Sequence, residues 1–301
     1  MFVLAGTKCA PSGTQRPPLV TKVEHFYLVS DDAETLYRFF RDEFQLPVVW
    51  AFNSYGDFAS GGLTLGNVAL EFVSEKGERR TTGTEFKGIA LEPAGDADAA
   101  VAELKRRGIL HGELEADTLI ENGQARVGWV TVDLKIPPAG AYIFLCDYKQ
   151  RDEVAGRRRR ASDELAARGG GPLGITSVRE ITIGVTSVDD ASGKWRKLLD
   201  WEPKGAEPVF AFGGGPKVRL VEAEKEGIQR IVVGVKSTQQ ATQFLTDRGT
   251  LGEATQGQIV IRPAAVGGLK IVLVEERSAR SPTLAEADKR SNEARSPRVP
   301  F

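Results

Sequence analysis

Residues 23–29 read VEHFYLV, and they begin a pattern that recurs four times along the chain. Each copy has a short apolar strand, an amphipathic helix, and two or three strands that end on an apolar run. In the first copy the helix is predicted over residues 31–44 and the last strand over residues 67–73. A recurring unit of this kind indicates a tandem architecture, so the repetition is the first constraint on the fold.

The later copies indicate how the repeats are related. The third copy opens over residues 178–185 and closes over residues 217–222. The second and fourth copies have helices that read AVAELKRRG at 100–108 and ATQFLTDRG at 241–249, and last strands that read GAYIFL at 140–145 and GLKIVL at 268–273. The chain is therefore interpreted as a unit of two modules that has been duplicated.

The composition is that of a globular protein without an electrostatic preference. The chain has 301 residues, 41% of them hydrophobic, which is enough for two compact domains. With 40 basic and 41 acidic residues the formal net charge is -1. Nothing in this balance favours binding to nucleic acid or to an anionic membrane, and we predict neither partner.

Compartment and segmentation follow from local features. The sequence has two cysteines, no signal-peptide pattern and no apolar run near the ~18 residues of a membrane span, so we predict a cytoplasmic protein. The predicted segments are an N-terminal arm (1–19), a first domain (20–148), a linker (149–174), a second domain (175–276) and a polar tail (277–301). The arginine run 157–160 is interpreted as the solvated face of a linker helix, with a phosphate-binding patch as the alternative.

Tandem strand-helix-strand-strand-strand modules, with His25 on a first strand and Glu71 on a last strand, resemble the vicinal oxygen chelate superfamily. This superfamily includes glyoxalase I, the extradiol ring-cleaving dioxygenases, and the fosfomycin and bleomycin resistance proteins. The resemblance covers residues 20–148 and 175–276. It implies an α+β fold in which four βαβββ modules pair into two half-open barrel domains, the second being a degenerate copy.

The resemblance also implies a divalent metal in the cup of the first barrel, with His25 and Glu71 as ligands. An imidazole and a carboxylate suit Zn, Fe, Mn or Ni. The second module breaks the pattern, because Ile89 and Phe144 are assigned to its ligand positions. The second half offers no site by homology, since its four corresponding positions are assigned to Glu180, Val221, Arg230 and Val272.

Three interpretations of His25 stay open. It is a metal-free residue hydrogen-bonded to Glu71, a ligand of a working metal site whose third ligand is unidentified, or a satisfied core histidine. Iron-dependent extradiol cleavage is disfavoured, because that chemistry needs two histidines and a glutamate on one metal. The second histidine of the chain, His111, falls in a segment predicted to lie away from the cup.

Strand alternation predicts the lining of the cup. Val23, His25, Tyr27 and Val29 are expected on one face of the first strand. The predicted substrate-binding residues are Tyr27, Tyr142, Phe144, Cys146 and Tyr148. An apolar and phenolic wall suits a flat small molecule, although each of these side chains is also explained by packing alone.

Two classes of function are consistent with these features. The first is a metal-assisted lyase, isomerase or oxygenase in which His25 and Glu71 hold the ion. The second is a metal-independent protein that binds or sequesters a small molecule, as resistance proteins do. Both imply a small-molecule ligand, and a homo-oligomer is compatible with either. Retention of both ligand residues in one module places the enzyme first.

Overall fold

A computed structural model describes residues 18–75, 83–121, 124–200 and 207–276. The predicted tail, and the predicted arm as far as residue 17, lie outside these ranges. No helix in the described ranges is long and apolar enough to span a membrane.

The first half forms one sheet of eight strands in the order β2-β3-β4-β1-β5-β8-β7-β6. Two helices belong to this half, one after the first strand of each module. The elements are β1 (Val20–Ser30), α1 (Ala33–Asp42), β2 (Val48–Ser54), β3 (Phe58–Thr64), β4 (Ala69–Glu75), β5 (Thr84–Pro93), α2 (Ala97–Arg107), β6 (His111–Glu121), β7 (Gln124–Leu134) and β8 (Tyr142–Tyr148).

The second half repeats this arrangement in a sheet of seven strands, in the order β10-β11-β9-β12-β15-β14-β13. A long helix, α3 (Arg151–Ala167), connects the halves. The remaining elements are β9 (Ile175–Val185), α4 (Val188–Leu199), β10 (Val209–Phe210), β11 (Lys217–Glu222), β12 (Gly227–Val235), α5 (Thr238–Asp247), β13 (Leu251–Thr255), β14 (Gln258–Ile261), a 3-10 turn (Pro263–Val266) and β15 (Ile271–Glu275).

The two sheets share irregularities as well as strand order. In the first half Glu24 is an extra residue in β1 where this strand pairs with β5. In the second half Arg179 is an extra residue at the matching point of β9, where it pairs with β12. β-Bulges are designed features that related structures keep, so their repetition supports the predicted duplication. The predicted α+β fold of paired modules is confirmed.

One apolar core runs through both halves. Phe26 and Leu28 of β1 belong to the same buried cluster as Trp195 of α4 and Leu273 of β15. Polar contacts add to the junction: the indole nitrogen of Trp195 donates to the carbonyl of Pro137 at 2.9 Å. The two sheets are therefore held together by shared packing, with one face of the first sheet left to form a cup.

A close backbone contact at the junction requires glycine. Gly66 has a φ of +97°, and a Cβ there would lie 2.3 Å from the carbonyl oxygen of Thr176. The neighbouring Asn67 accepts from the backbone nitrogen of Val178 at 2.8 Å and donates to its carbonyl at 3.0 Å. The turn before β4 is thus fixed against β9.

Candidate functional site

A β-bulge in β1 interrupts the alternation of side chains at two consecutive polar residues, Glu24 and His25. Val23 opposes Leu91 of β5 and His25 opposes Ala90, so Glu24 has no partner across this strand pair. The extra residue interrupts the alternation of side chains. Val23 consequently packs into the main core, whereas His25 lines the cavity and Glu24 bonds to its Nδ1. The prediction that Val23 shares the face of His25 is wrong for this reason.

His25 meets Glu71 across the adjacent strands β1 and β4. These strands are parallel, and Glu71 pairs with Tyr27 two residues beyond His25. The Nε2 atom of His25 lies 3.2 Å from Oε2 of Glu71, and the two side chains are only 5% and 15% exposed. The proximity that the sequence predicts is confirmed. Both ring nitrogens of His25 therefore face carboxylates, one from Glu24 and one from Glu71.

Arg158 of α3 extends the row of polar contacts formed by Glu71, His25 and Glu24, which is called the polar line below. Its guanidinium forms an ion pair with Glu24, whose side chain has no exposed surface. It also lies 5.5 Å from the ring centroid of Tyr148, within range of a cation–π contact. Burial lowers the pKa of Arg158 to about 9.

Helix α3 is a roof over the cup and not a solvated linker helix. Its buried residues Val154, Ala161 and Leu165 share one face with Arg158, at helical spacings of three and four. Ala161 packs on Val49 and Ala69 of the sheet. The interpretation of the arginine run as wholly solvated is thus wrong at Arg158, because this residue belongs to the inward stripe.

The cup encloses a cavity of about 350 Å³. Seven aromatic side chains contribute to its lining: Tyr27, Trp50, Tyr55, Phe58, Trp129, Phe144 and Tyr148. Phe144 and Trp50 both present edge-to-face contacts to the His25 ring, with centroids 5.9 and 6.2 Å away. Tyr55 stacks on Phe58 at 5.4 Å and meets Trp129 at 6.2 Å. Rings from both modules therefore surround the polar pair.

Four of the five predicted substrate-binding residues line this cavity, namely Tyr27, Phe144, Cys146 and Tyr148. Tyr142 is not among the lining residues. It is 54% exposed, and the ammonium of Lys87 lies 6.0 Å from the centroid of its ring. The cause is its position at the start of β8, where it pairs with Gly88, two residues before the cavity-lining Phe144.

Burial keeps the weak acids of the cavity in their neutral forms. Desolvation raises the pKa of the Tyr27 phenol well above its usual value, and the nearby Glu71 carboxylate adds to the shift. Desolvation likewise raises the pKa of the Cys146 thiol and of the Tyr148 phenol. At neutral pH these groups therefore keep their protons, as two phenols and a thiol.

The strand positions that face His25 from the second module carry hydrocarbon. Opposite His25 on β5 stands Ala90, and Phe144 pairs with Ala90 from β8. Ile89, which the sequence assigned to this ligand position, pairs instead with Phe26 on the core side. In the described ranges no three His, Cys, Asp or Glu side chains are grouped as a metal site. Two donors do not fit a firmly held ion, because such sites have at least three protein ligands.

The matching position in the second half is closed by an ion pair. Glu180 occupies the place of His25, as predicted, and pairs with Lys217 as His25 pairs with Ala69. The place of Glu71 is taken by Arg219 and not by Val221, which lies two residues further along the strand. The Nε of Arg219 donates to Glu180 at 2.8 Å. The second half therefore has an internal ion pair where the first half has His25 and Glu71.

Comparison with known proteins agrees with this architecture. No protein-family model matches the sequence, and no curated protein matches it either. Among solved structures, a mutant of 4-hydroxymandelate synthase from Streptomyces coelicolor aligns with a TM-score of 0.58 at 14% identity, covering 91% of this chain and 99% of that one. This chain has the vicinal oxygen chelate fold.

Two further structures with this fold cover similar shares. A Mn(II)-bound glyoxalase from Novosphingobium aromaticivorans aligns with a TM-score of 0.53 at 14% identity, over 87% of this chain and 84% of that one. The 2,3-dioxygenase LapB from Pseudomonas sp. KL28 aligns with a TM-score of 0.56 at 13% identity, over 86% and 93%. At these identities the likeness concerns the vicinal oxygen chelate fold and leaves the chemistry to the residues of the cup.

Two members of the polar line were missed by sequence reasoning, Glu24 and Arg158. A signal for each was present. Glu24 and His25 are consecutive polar residues inside an apolar strand, which strict alternation cannot bury on one side. Arg158 lies four residues after Val154 and three before Ala161, on the apolar stripe of a helix. The apolar stripe of α3 therefore predicts that this face of the helix, Arg158 included, packs on another part of the protein.

Proposed function

We propose that the cup of the first half binds a small, flat organic molecule without a resident metal ion. One observation carries this proposal. Within the part of the chain that the structure describes, the two donors that face each other at the predicted ligand positions, His25 and Glu71, are surrounded by aromatic rings. Phe144 stands beside His25 where a further ligand would be needed. The cavity volume of about 350 Å³ falls in the range of small-molecule sites.

The lining supports a planar ligand. Trp129 of β7 and Tyr55 near β2 come from different modules, meet edge to face and both line the cavity, so that a flat ring can pack against aromatic surface from either module. Stacked and edge-to-face ring contacts contribute about 0.5–1.5 kcal/mol each beyond burial. The neutral phenol of Tyr27 and the His25–Glu71 pair supply the few polar groups that would orient such a ligand.

Metal-assisted lyase, isomerase or oxygenase chemistry is the second candidate. The 3.2 Å separation of His25 and Glu71 suits two ligands of one Zn, Fe, Mn or Ni ion. The Glu24 contact at Nδ1 resembles the carboxylates that orient metal-binding histidines. It ranks second because the cup offers two protein donors and a buried hydrocarbon wall at the remaining positions.

A binding experiment in the presence of a chelator separates the two candidates. Calorimetric titration with 2-naphthol, quinoline and coumarin in EDTA is expected to show binding of at least one probe. Trp129→Ala is expected to weaken it at least tenfold, while Val127→Ala, an exposed position on the same strand, leaves it unchanged. If no probe binds in EDTA but binding appears on addition of Zn or Mn, the metal-assisted candidate replaces this proposal.

A further inference from the structure

Two hydroxyl groups face the cavity from equivalent positions of the two modules. Ser60 of β3 stands opposite the residue two positions after Glu71 on β4. Thr131 of β7 stands opposite the residue two positions after Phe144 on β8. Phe144 holds in the second module the place that Glu71 holds in the first, so Ser60 and Thr131 correspond to each other. Both residues line the cavity.

The hydroxyl of Ser60 is available as a hydrogen-bond donor. Ser60 is 2% exposed, and its oxygen accepts from the indole nitrogen of Trp50 at 3.3 Å. An indole nitrogen can only donate, so the hydroxyl hydrogen of Ser60 is not used in this contact. Among the described residues this hydrogen has no acceptor. A buried donor without an acceptor is costly, and an acceptor on a bound molecule would remove that cost.

The hydroxyl of Thr131 is uncommitted as well. Within the described ranges its side chain makes no hydrogen bond. Serine and threonine hydroxyls do not ionise near neutral pH, and each carries one hydrogen to donate. The two donors are therefore the same whatever the protonation of His25 or of the carboxylates in the cavity.

Ring contacts close the curled sheet near these two hydroxyls. Four strands separate β3 from β7 in the order of the sheet. Tyr55 nevertheless stacks on Phe58 of β3 and also meets Trp129 of β7. Ser60 and Thr131 lie two residues beyond Phe58 and Trp129, hence on the same faces of their strands. The two hydroxyls thus reach the cavity from the two sides that these rings join.

We propose that the cup selects flat molecules that carry a hydrogen-bond acceptor oxygen on each of two separate edges, of which a cyclic imide or diketone is the simplest form. One carbonyl oxygen would accept from Ser60 and the other from Thr131, and the ring would lie among the aromatic side chains. This proposal rests on the proposed binding function and adds the ligand class to it. The recognising groups are neutral, so the ligand needs no charge.

N-methylphthalimide, N-methylisoindolinone and indane test the proposal, because they share one fused-ring frame and carry two, one and no carbonyl oxygens. Calorimetric titration in EDTA is expected to show that each carbonyl strengthens binding about fivefold, as one net hydrogen bond does. Ser60→Ala and Thr131→Val are each expected to weaken the binding of N-methylphthalimide about fivefold and to leave that of indane unchanged. The matched control Thr118→Val, at an exposed position of β6, is expected to change neither.

The binding of indane separates a lost hydrogen bond from a damaged cup, since indane uses only the ring surfaces. Circular dichroism shows whether each variant is folded. Thr131→Val keeps the shape of the side chain, and it carries the test alone if Ser60→Ala does not fold.

The outcomes distinguish this inference from the function on which it rests. Equal affinities for N-methylphthalimide and indane overturn the inference, as does a preference for N-methylphthalimide that persists in the folded variants. If 2-naphthol, quinoline or coumarin binds and no member of the imide series does, the ligand class is wrong and the binding function stands. If no aromatic probe binds at all, the binding function falls and takes this inference with it.

Discussion

Replacement of Arg158 by methionine tests the buried polar line most severely. The side chain of Arg158 is 16% exposed and that of Glu24 is fully buried, so Arg158→Met leaves a carboxylate inside the protein without its counter-charge. Breaking a buried ion pair in this way costs about 3–5 kcal/mol. With a urea dependence of about 3 kcal/mol/M, the unfolding midpoint is expected to fall by about 1 M or more.

Urea unfolding followed by circular dichroism measures this effect, and the arginine run supplies a matched control. Arg160 lies on the same helix and is exposed, so Arg160→Met is expected to change the free energy of unfolding by no more than about 0.5 kcal/mol. The double variant Glu24→Gln/Arg158→Met removes both charges and is expected to recover most of the loss. Equal effects of Arg158→Met and Arg160→Met would refute the ion pair as a structural element of the roof.

Three further predictions concern separate parts of the molecule. Because burial raises the pKa of Cys146, the folded Cys9→Ser variant is expected not to react with a thiol reagent at pH 8 and to react fully in urea; reaction in the native state would contradict the enclosed cup. Backbone hydrogen bonds from Thr186 and Ala139 lower the pKa of Glu226, so the stability that Glu226 contributes is present above its unfolded-state pKa and is lost as pH falls below about 4. Glu226→Gln is expected to lower the free energy of unfolding by about 1 kcal/mol at pH 7 and to weaken its dependence on pH in the acid range, both measured by urea titration. An unchanged dependence on pH would show that this contact does not hold the junction. Phe144→His adds an imidazole beside His25, so saturating zinc is expected to raise the melting temperature by about 5 °C, whereas Tyr142→His on the exposed end of β8 gives no such shift; equal shifts in both would show that Phe144 does not occupy a ligand position.

The module pattern could be predicted from the sequence because it depends on local periodicity, and the pair His25–Glu71 followed from the family resemblance that this pattern carries. Apolar alternation and helical stripes repeat four times, so an error in one copy is corrected by another. The side of a strand on which a residue lies is also periodic, and this places Tyr27, Phe144, Cys146 and Tyr148 correctly. The limit of that reasoning is reached wherever the period is interrupted.

The errors occurred where a bulge, a strand end or a tertiary contact decided the outcome. The extra residue Glu24 moved Val23 into the core. Tyr142 has the right face but stands too near the strand end to reach the cavity. Arg158 is one of four consecutive arginines, and only its spacing from Val154 and Ala161 distinguishes it from its neighbours. Its burial follows from the Glu24 carboxylate, which is 134 positions away in sequence, and such a contact is invisible to periodicity.

The metal content of the native protein tests the central claim most directly. The protein should be purified without chelator, analysed for Zn, Fe, Mn and Ni, and titrated with an aromatic probe in the same preparation. The account predicts far less than one equivalent of any of these metals, together with probe binding that EDTA does not change. One equivalent of a divalent metal that is lost in His25→Ala and Glu71→Ala, and without which no aromatic probe binds, would contradict the account.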